Sequence, residues 1–317
     1  MNPPPFPTLL AQAPCILGEG AVIERLRRET DFELDPQVVN SAFIYDDARR
    51  AALEAMYRQY LDIGAEFDLP LMLSTPTWRA SRERIAAAGH ADRDVNGDNF
   101  RFFHALRGQY GAYAEKVAIC GLLSCRGDAY DPAQTLSTDE AQAVHTWQAD
   151  KLAAAGVDFL LAATLPAMEE ALGLAKALAS TATPYIISFI ARPEGTLLDH
   201  TPLKTAVATI DAQVDPAPLA FLINCTHASI FRSALGHETH SSPQVRQRVC
   251  GLLANTAALT PEELDNSDEL VEEAPEAFGR SVADLKNELG MKLLGGCCGT
   301  DHRHIRQLAM QLAGRMA

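Results

Sequence analysis

Three shortages narrow what this chain is before any motif is read. Long apolar runs are missing: none approaches the roughly 18 residues that a membrane span requires. The start, with Pro3, Pro4, Pro5 and Pro7, also lacks the basic and apolar regions of a secretory leader. Basic residues are scarce, 27 Lys and Arg against 41 Asp and Glu, which leaves a formal net charge of −14. So acidic a chain offers no broad cationic face to nucleic-acid phosphates, and its charge otherwise bears on solubility and steering. Disulfide spacing is absent too, because the seven cysteines are odd in number and scattered. That pattern suits a reducing compartment, so a cytoplasmic protein with thiols free for metal work is expected. With 47% hydrophobic and 21% charged residues, a large core is available.

The most unusual stretch lies near the end, Leu293-Leu294-Gly295-Gly296-Cys297-Cys298-Gly299-Thr300-Asp301. Leu293 and Leu294 read as the end of a buried strand. Gly295, Gly296 and Gly299 let the backbone turn tightly around a bound group. Thr300 and Asp301 are good helix caps, and residues 302–316 read as a helix. The paired thiols thus sit where a strand gives way to a helix, whose positive dipole end favours thiolate. Adjacent cysteines are more often small buried hydrophobes than ligands. Core packing, however, has no need of three flanking glycines, whereas a soft metal held close to the backbone does. A catalytic zinc takes three protein ligands and keeps one position open, so a third thiol is sought elsewhere. Cys225 is the best placed, just past the apolar run Leu219-Ala220-Phe221-Leu222-Ile223-Asn224 and before Thr226 and His227.

The rest of the chain alternates short apolar runs with helical periodicity. Strands are expected at 14–18, 67–73, 117–123, 159–162, 185–189, 219–224, 249–253 and ending at Leu294. Helices are expected over 45–64, 82–88, 99–115, 138–155, 168–179, 203–214 and 278–289. Eight strands alternating with helices make a single (β/α)8 TIM barrel over residues 1–317 the natural architecture. Active sites of such barrels lie at the C-terminal ends of the strands. Glu19, Trp78, Thr164, Asn224, Cys225, Cys297 and Cys298 all fall at ends of that kind. Cys125, after the third strand, reads as a structural thiol, and the acidic stretch 260–276 as solvated surface.

The segments Asn224-Cys225-Thr226-His227 and Gly295-Gly296-Cys297-Cys298-Gly299-Thr300 together resemble the two-part zinc signature of the homocysteine S-methyltransferase family. Gly18-Glu19-Gly20-Ala21, Thr75-Pro76-Thr77-Trp78-Arg79-Ala80 and Gly156-Val157-Asp158-Phe159-Leu160-Leu161 resemble its first-, second- and fourth-strand motifs, so the likeness runs over nearly the whole chain. The resemblance implies zinc on Cys225, Cys297 and Cys298. It also implies a small-molecule thiol as methyl acceptor, homocysteine becoming methionine, and a sulfonium or quaternary ammonium donor. It sets Glu19, where the family usually has Asp, against the amino group of the substrate. Read from the residues alone, Glu19 is equally a helix N-terminal carboxylate favoured by the dipole. Substrate contacts are further implied for Thr164 and Asn224. Trp78 offers an aromatic face to the donor's positive charge, although an aromatic after a strand is more often packing.

Two departures from the family bear on the substrate. The family has Glu-Thr after the fourth strand, where this chain has Ala163-Thr164. A lost carboxylate removes a contact of about 1.5–3 kcal/mol to an ammonium group. The Gly-Pro loop after the third strand is replaced by Ser124-Cys125-Arg126-Gly127-Asp128. Either Glu19 alone holds the amino group, or the acceptor is a different thiol. A third reading, a non-catalytic zinc protein, needs a fourth protein ligand, for which His227 is nearest in sequence, though it reads better as a packing or supporting histidine. Neither nucleic acid nor membrane is expected as a partner, and a homo-oligomer is left open.

Overall fold

The apolar runs become eight parallel strands that close into a barrel in sequence order. They are β1 Ile16–Gly18, β2 Leu71–Ser74, β3 Val117–Ser124, β4 Phe159–Leu165, β5 Tyr185–Phe189, β6 Ala220–His227, β7 Val249–Asn255 and β8 Leu293–Gly296. β1 pairs with both β2 and β8, which seals the ring. The computed structural model describes residues 3–259, 263 and 272–314. Its α-helices are α1 Phe6–Gln12, α2 Ile23–Glu29, α3 Asp47–Phe67, α4 Arg82–Ala87, α5 Val95–Gly108, α6 Thr138–Ala155, α7 Met168–Ala179, α8 Leu203–Gln213, α9 Ala228–Gly236, α10 Pro243–Arg248, α11 Pro275–Leu289 and α12 His302–Leu312. The expected (β/α)8 barrel is therefore the fold.

Both faces of a parallel sheet are covered, so its strands are apolar throughout rather than alternating. Inside the ring, Ile16, Met72, Ala118, Phe159, Leu161, Ile186, Leu222 and Leu293 fill the barrel. Outside it, a second core joins the strands to the helices through residues such as Leu17, Leu71, Ile119, Leu160, Phe221 and Leu294. The N-terminal helix α1 gives Phe6, Leu9 and Leu10 to the inner core. Phe6 stacks on Phe159 at the start of β4, with ring centroids 3.6 Å apart. Lys292, just before β8, donates its Nζ to the carbonyls of Leu10 and Ala11. The lower end of the barrel is plugged by α1.

Several bounds differ from the sequence reading. β2 starts at Leu71, because α3 runs through Phe67 and ends on Asp68 in a left-handed conformation. The helix expected over 99–115 is α5 at Val95–Gly108 followed by a 3-10 turn at Gly111–Lys116. β4 and β6 run on through Thr164 and Cys225, each past a shift in register. β8 begins where it was expected to end and contains both glycines of its motif. Most of the acidic stretch 260–276 lies outside the described residues, as does the expected end of the last helix at Met316. No helix among the described residues is long and apolar enough to cross a membrane.

Candidate metal and substrate site

At the upper end, β6 and β8 flank β7 and bring three thiols together. Cys225 Sγ lies 2.9 Å from Cys297 Sγ and 3.9 Å from Cys298 Sγ. Cys225 adopts φ +51°, a left-handed conformation that a non-glycine residue rarely takes. It sits where the β6–β7 register shifts between Asn224 and Thr226. The other two cysteines follow β8 and are pinned by the end of β7. Cys297 N–H donates to the Ala254 carbonyl at 2.7 Å and Cys298 N–H to Asn255 Oδ1 at 3.1 Å. Gly299, at φ +82°, turns the chain back where a Cβ would collide with Thr256. Asp301 then caps α12 by accepting from the N–H groups of Arg303 and His304.

The thiols share protons. Hydrogen bonds from Cys225 and Cys298 hold the Cys297 thiol well below its ordinary range. Their roles as donors to it push Cys225 and Cys298 well above theirs, with burial adding to the effect. A cation among the sulfurs would favour the thiolate form of all three. No fourth His, Cys, Asp or Glu side chain joins the three among the described residues.

Glu19, buried just past β1, accepts from Ser74 N–H through Oε2 at 3.1 Å. Burial pushes its carboxyl up to about 8, against the opposing hydrogen bonds from Ser74. Its backbone carbonyl accepts from Gly296 N–H at 2.9 Å, which ties the Glu19 turn to the cysteine turn. Across the barrel, Thr164 takes φ +63° in β4. Asn224 holds it there, accepting from Thr164 N–H and donating to Thr164 Oγ1, both at 2.9 Å. Asn224 Oδ1 also accepts from Ser188 Oγ at 2.6 Å.

The sequence profile of the homocysteine S-methyltransferase family matches residues 16–312, an interval that contains all of these groups. The chain belongs to the homocysteine S-methyltransferase family. It is an enzyme of the homocysteine S-methyltransferase kind. Betaine–homocysteine S-methyltransferase 1 of Bos taurus is 23% identical over 320 residues, spanning 94% of this chain and 72% of the relative. The metallated form of the Escherichia coli homocysteine methyltransferase MmuM superposes with a TM-score of 0.75 at 21% identity, covering 99% of this chain and 100% of that one. The oxidised form of the same protein gives 0.75 over 96% of this chain and 98% of that one, again at 21% identity. At such identity the structural likeness speaks for the fold.

Ala163 faces the apolar interior of the barrel where the family pattern has a carboxylate, and its carbonyl accepts from Ser124 Oγ. Trp78 is half-buried, and one face of its ring carries the Arg79 guanidinium at 4.5 Å. A donor cation on that face would meet a cation already there. Arg79 itself donates to the carbonyls of Arg126 and Gly127 in the loop after β3. Cys125 is buried under that loop, its thiol 3.8 Å from the Thr164 carbonyl and pushed up to about 11 by burial. His227 uses Nδ1 to cap α9 and directs Nε2 to Glu273 Oε2 at 3.4 Å, so both ring nitrogens are engaged away from the thiols.

Tyr130 was not singled out in the sequence. The charge on Cys225, followed by burial and the charges on Cys298 and Cys297, pushes its phenol far above the ordinary value, which marks it as a neighbour of the three thiols. No motif marks this residue, because it lies in the long connection between β3 and α6, outside every segment that resembles the family. The signal lay one helix further on. Buried Glu170 of α7 accepts from Arg126 N–H at 2.6 Å and from Leu136 N–H at 3.4 Å, and pairs with His145 of α6 at 2.9 Å. A buried carboxylate is tolerated where it is so fully hydrogen-bonded, and here it holds both ends of the Tyr130 loop.

Proposed function

We propose that this enzyme transfers a methyl group from a sulfonium or quaternary ammonium donor to the thiol of homocysteine, giving methionine, with zinc on Cys225, Cys297 and Cys298. The observation that carries this reading is the buried three-thiol cluster with no fourth protein ligand among the described residues. Three sulfur donors suit zinc, and a site with three protein ligands leaves one position for a substrate. The raised Cys225 and Cys298 thiols fit as well, since a bound cation would favour their deprotonation. When bound, zinc would supply that charge and lower the pKa of an incoming thiol toward neutrality.

The protein's own groups account for the rest. Glu19 is largely protonated near pH 7 while its pocket is empty of cations. An ammonium group beside it favours the carboxylate, so Glu19 would ionise on binding and hold the acceptor by its amino end. Ser74 N–H keeps that carboxylate aimed. Tyr130, a phenol beside the three thiols, stays protonated there and would keep its hydroxyl facing them. Thr164, held by Asn224, which Ser188 braces in turn, would offer its side chain to the substrate from the β4 side.

The deciding experiment offers homocysteine with S-methylmethionine, S-adenosylmethionine or betaine to the reduced, zinc-loaded protein and follows methionine by mass spectrometry. Methionine from one donor is the expected result. No methionine from any donor, with zinc bound, refutes it. A second reading keeps the zinc and changes the acceptor. It is favoured by Ala163, whose apolar surroundings offer nothing to an ammonium group. Faster turnover with a thiol that lacks an amino group would select it.

A further inference from the structure

Glu19 and Cys297 follow different strands, β1 and β8, yet one hydroxyl joins the turns that carry them. Thr300 is fully buried. Its Oγ1 accepts from Ala21 N–H at 3.0 Å and donates to the Cys297 carbonyl at 2.6 Å. A hydroxyl has one proton to give, so this one is committed to the pair. Two glycines make room for it. A Cβ on Gly20 would stand 3.1 Å from Thr300 Oγ1, and one on Gly296 would collide with it outright. A second strut runs alongside, from Gly296 N–H to the Glu19 carbonyl at 2.9 Å, and a third from Gly299 N–H to Glu24 Oε2 at 2.6 Å.

We infer that Thr300 is a positioning residue that sets the distance between the Glu19 carboxylate and the Cys297 thiol, and so selects acceptors by the span between their amino group and their sulfur. The inference rests on the reading of Glu19 as the group that holds the amino end. The thiol-binding centre and the amino-binding carboxylate are the two fixed points of the acceptor. Homocysteine keeps a set number of bonds between its sulfur and its nitrogen, so both contacts form only if the protein's points match that reach. Functional groups must be held to within about 0.5 Å by partners that are themselves locked, and misplacement by about 1 Å costs on the order of 100-fold. Only the second strut is backbone on both sides; of the two that a side-chain substitution can remove without touching Glu19 or a cysteine, Thr300 alone bonds the Cys297 carbonyl itself.

The test measures binding, so it does not depend on the methyl donor. Calorimetry on the reduced, zinc-loaded protein compares homocysteine with 4-mercaptobutyrate, which has the same thiol and carboxylate but no amino group. Wild type is expected to prefer homocysteine. Thr300→Val, which keeps the shape and removes the hydroxyl, should narrow that preference by about tenfold through weaker homocysteine binding, leaving 4-mercaptobutyrate nearly unchanged. Thr300→Ser should restore it. Thr300→Ala removes the same hydroxyl and serves if the valine variant does not fold. In a Glu19→Gln background the valine change should have no further effect on the preference. An unchanged preference in Thr300→Val or Thr300→Ala, or equal weakening of both ligands, overturns the positioning role while leaving the homocysteine reading intact. A wild type that binds the two thiols equally overturns both.

Discussion

Replacing Glu19 by Gln should stabilise the ligand-free protein, and the gain should grow with pH. The carboxyl is shifted from its ordinary value of 4.5 up to about 8 because burial disfavours its charged form. A raised acid is harmless to the fold while protonated in both states, below 4.5. As pH climbs, the unfolded chain ionises first and is favoured, and the loss is complete above 8. Linkage then makes Glu19 cost the folded state about 1 kcal/mol at pH 5, about 3 kcal/mol at pH 7 and about 5 kcal/mol at pH 9. Glutamine cannot ionise, and its carbonyl can still accept from Ser74 N–H, so the variant escapes that loss. Urea unfolding of the reduced, metal-free proteins at the three pH values is the assay. The difference in unfolding free energy should widen by several kcal/mol from pH 5 to pH 9. A difference flat in pH, or one favouring wild type at pH 9, would refute the argument that Glu19 lacks a cationic partner. On the proposed reading of Glu19 as the partner of the ammonium group, the same variant should also bind homocysteine worse.

Other changes test other parts of the molecule. Cys297→Ser should sharply lower zinc content by atomic emission, because its thiolate is the one favoured before any cation arrives; full occupancy would sink the three-thiol site. Gly295→Ala places a Cβ 2.6 Å from Gly18 Cα and 3.0 Å from Leu253 Cδ2, so overpacking should destabilise by about 1–3 kcal/mol. A melting temperature equal to wild type would contradict that. Phe6→Ala removes the stacked partner of Phe159 and should cost about 3–5 kcal/mol in urea unfolding; a change below about 1 kcal/mol would mean that α1 is not part of the folded core.

How much of this was legible in the sequence varied with how local the signal was. The bounds of α6 were read correctly because both ends carry their own chemistry. Ser137 and Glu140 form a capping box, and Gly156 ends the helix at φ +92°. The strands β4 and β6 were cut short because their extra residues pass through left-handed conformations at Thr164 and Cys225. Neither residue type announces that conformation, and only the hydrogen bonds of Asn224 to a strand 60 residues away explain it for Thr164. The helix α1 was missed because its seven residues span too few turns to show a period. Of the site, the thiols were readable since glycines and caps flank them in sequence. Tyr130 was not, because what brings it there is Glu170, whose role exists only once α6 and α7 are packed together.

The left-handed residues at Thr164 and Cys225 set function against stability. A non-glycine residue in that conformation costs roughly 1–2 kcal/mol, and a β-branched threonine is among the least suited to it. Glycine at either position would relieve the backbone. It would also delete the Thr164 side chain that Asn224 braces, or the sulfur that completes the trio. A laboratory screen that rewarded heat resistance alone would therefore drift toward substitutions at these two positions, and would harvest sturdier barrels that no longer handle thiols.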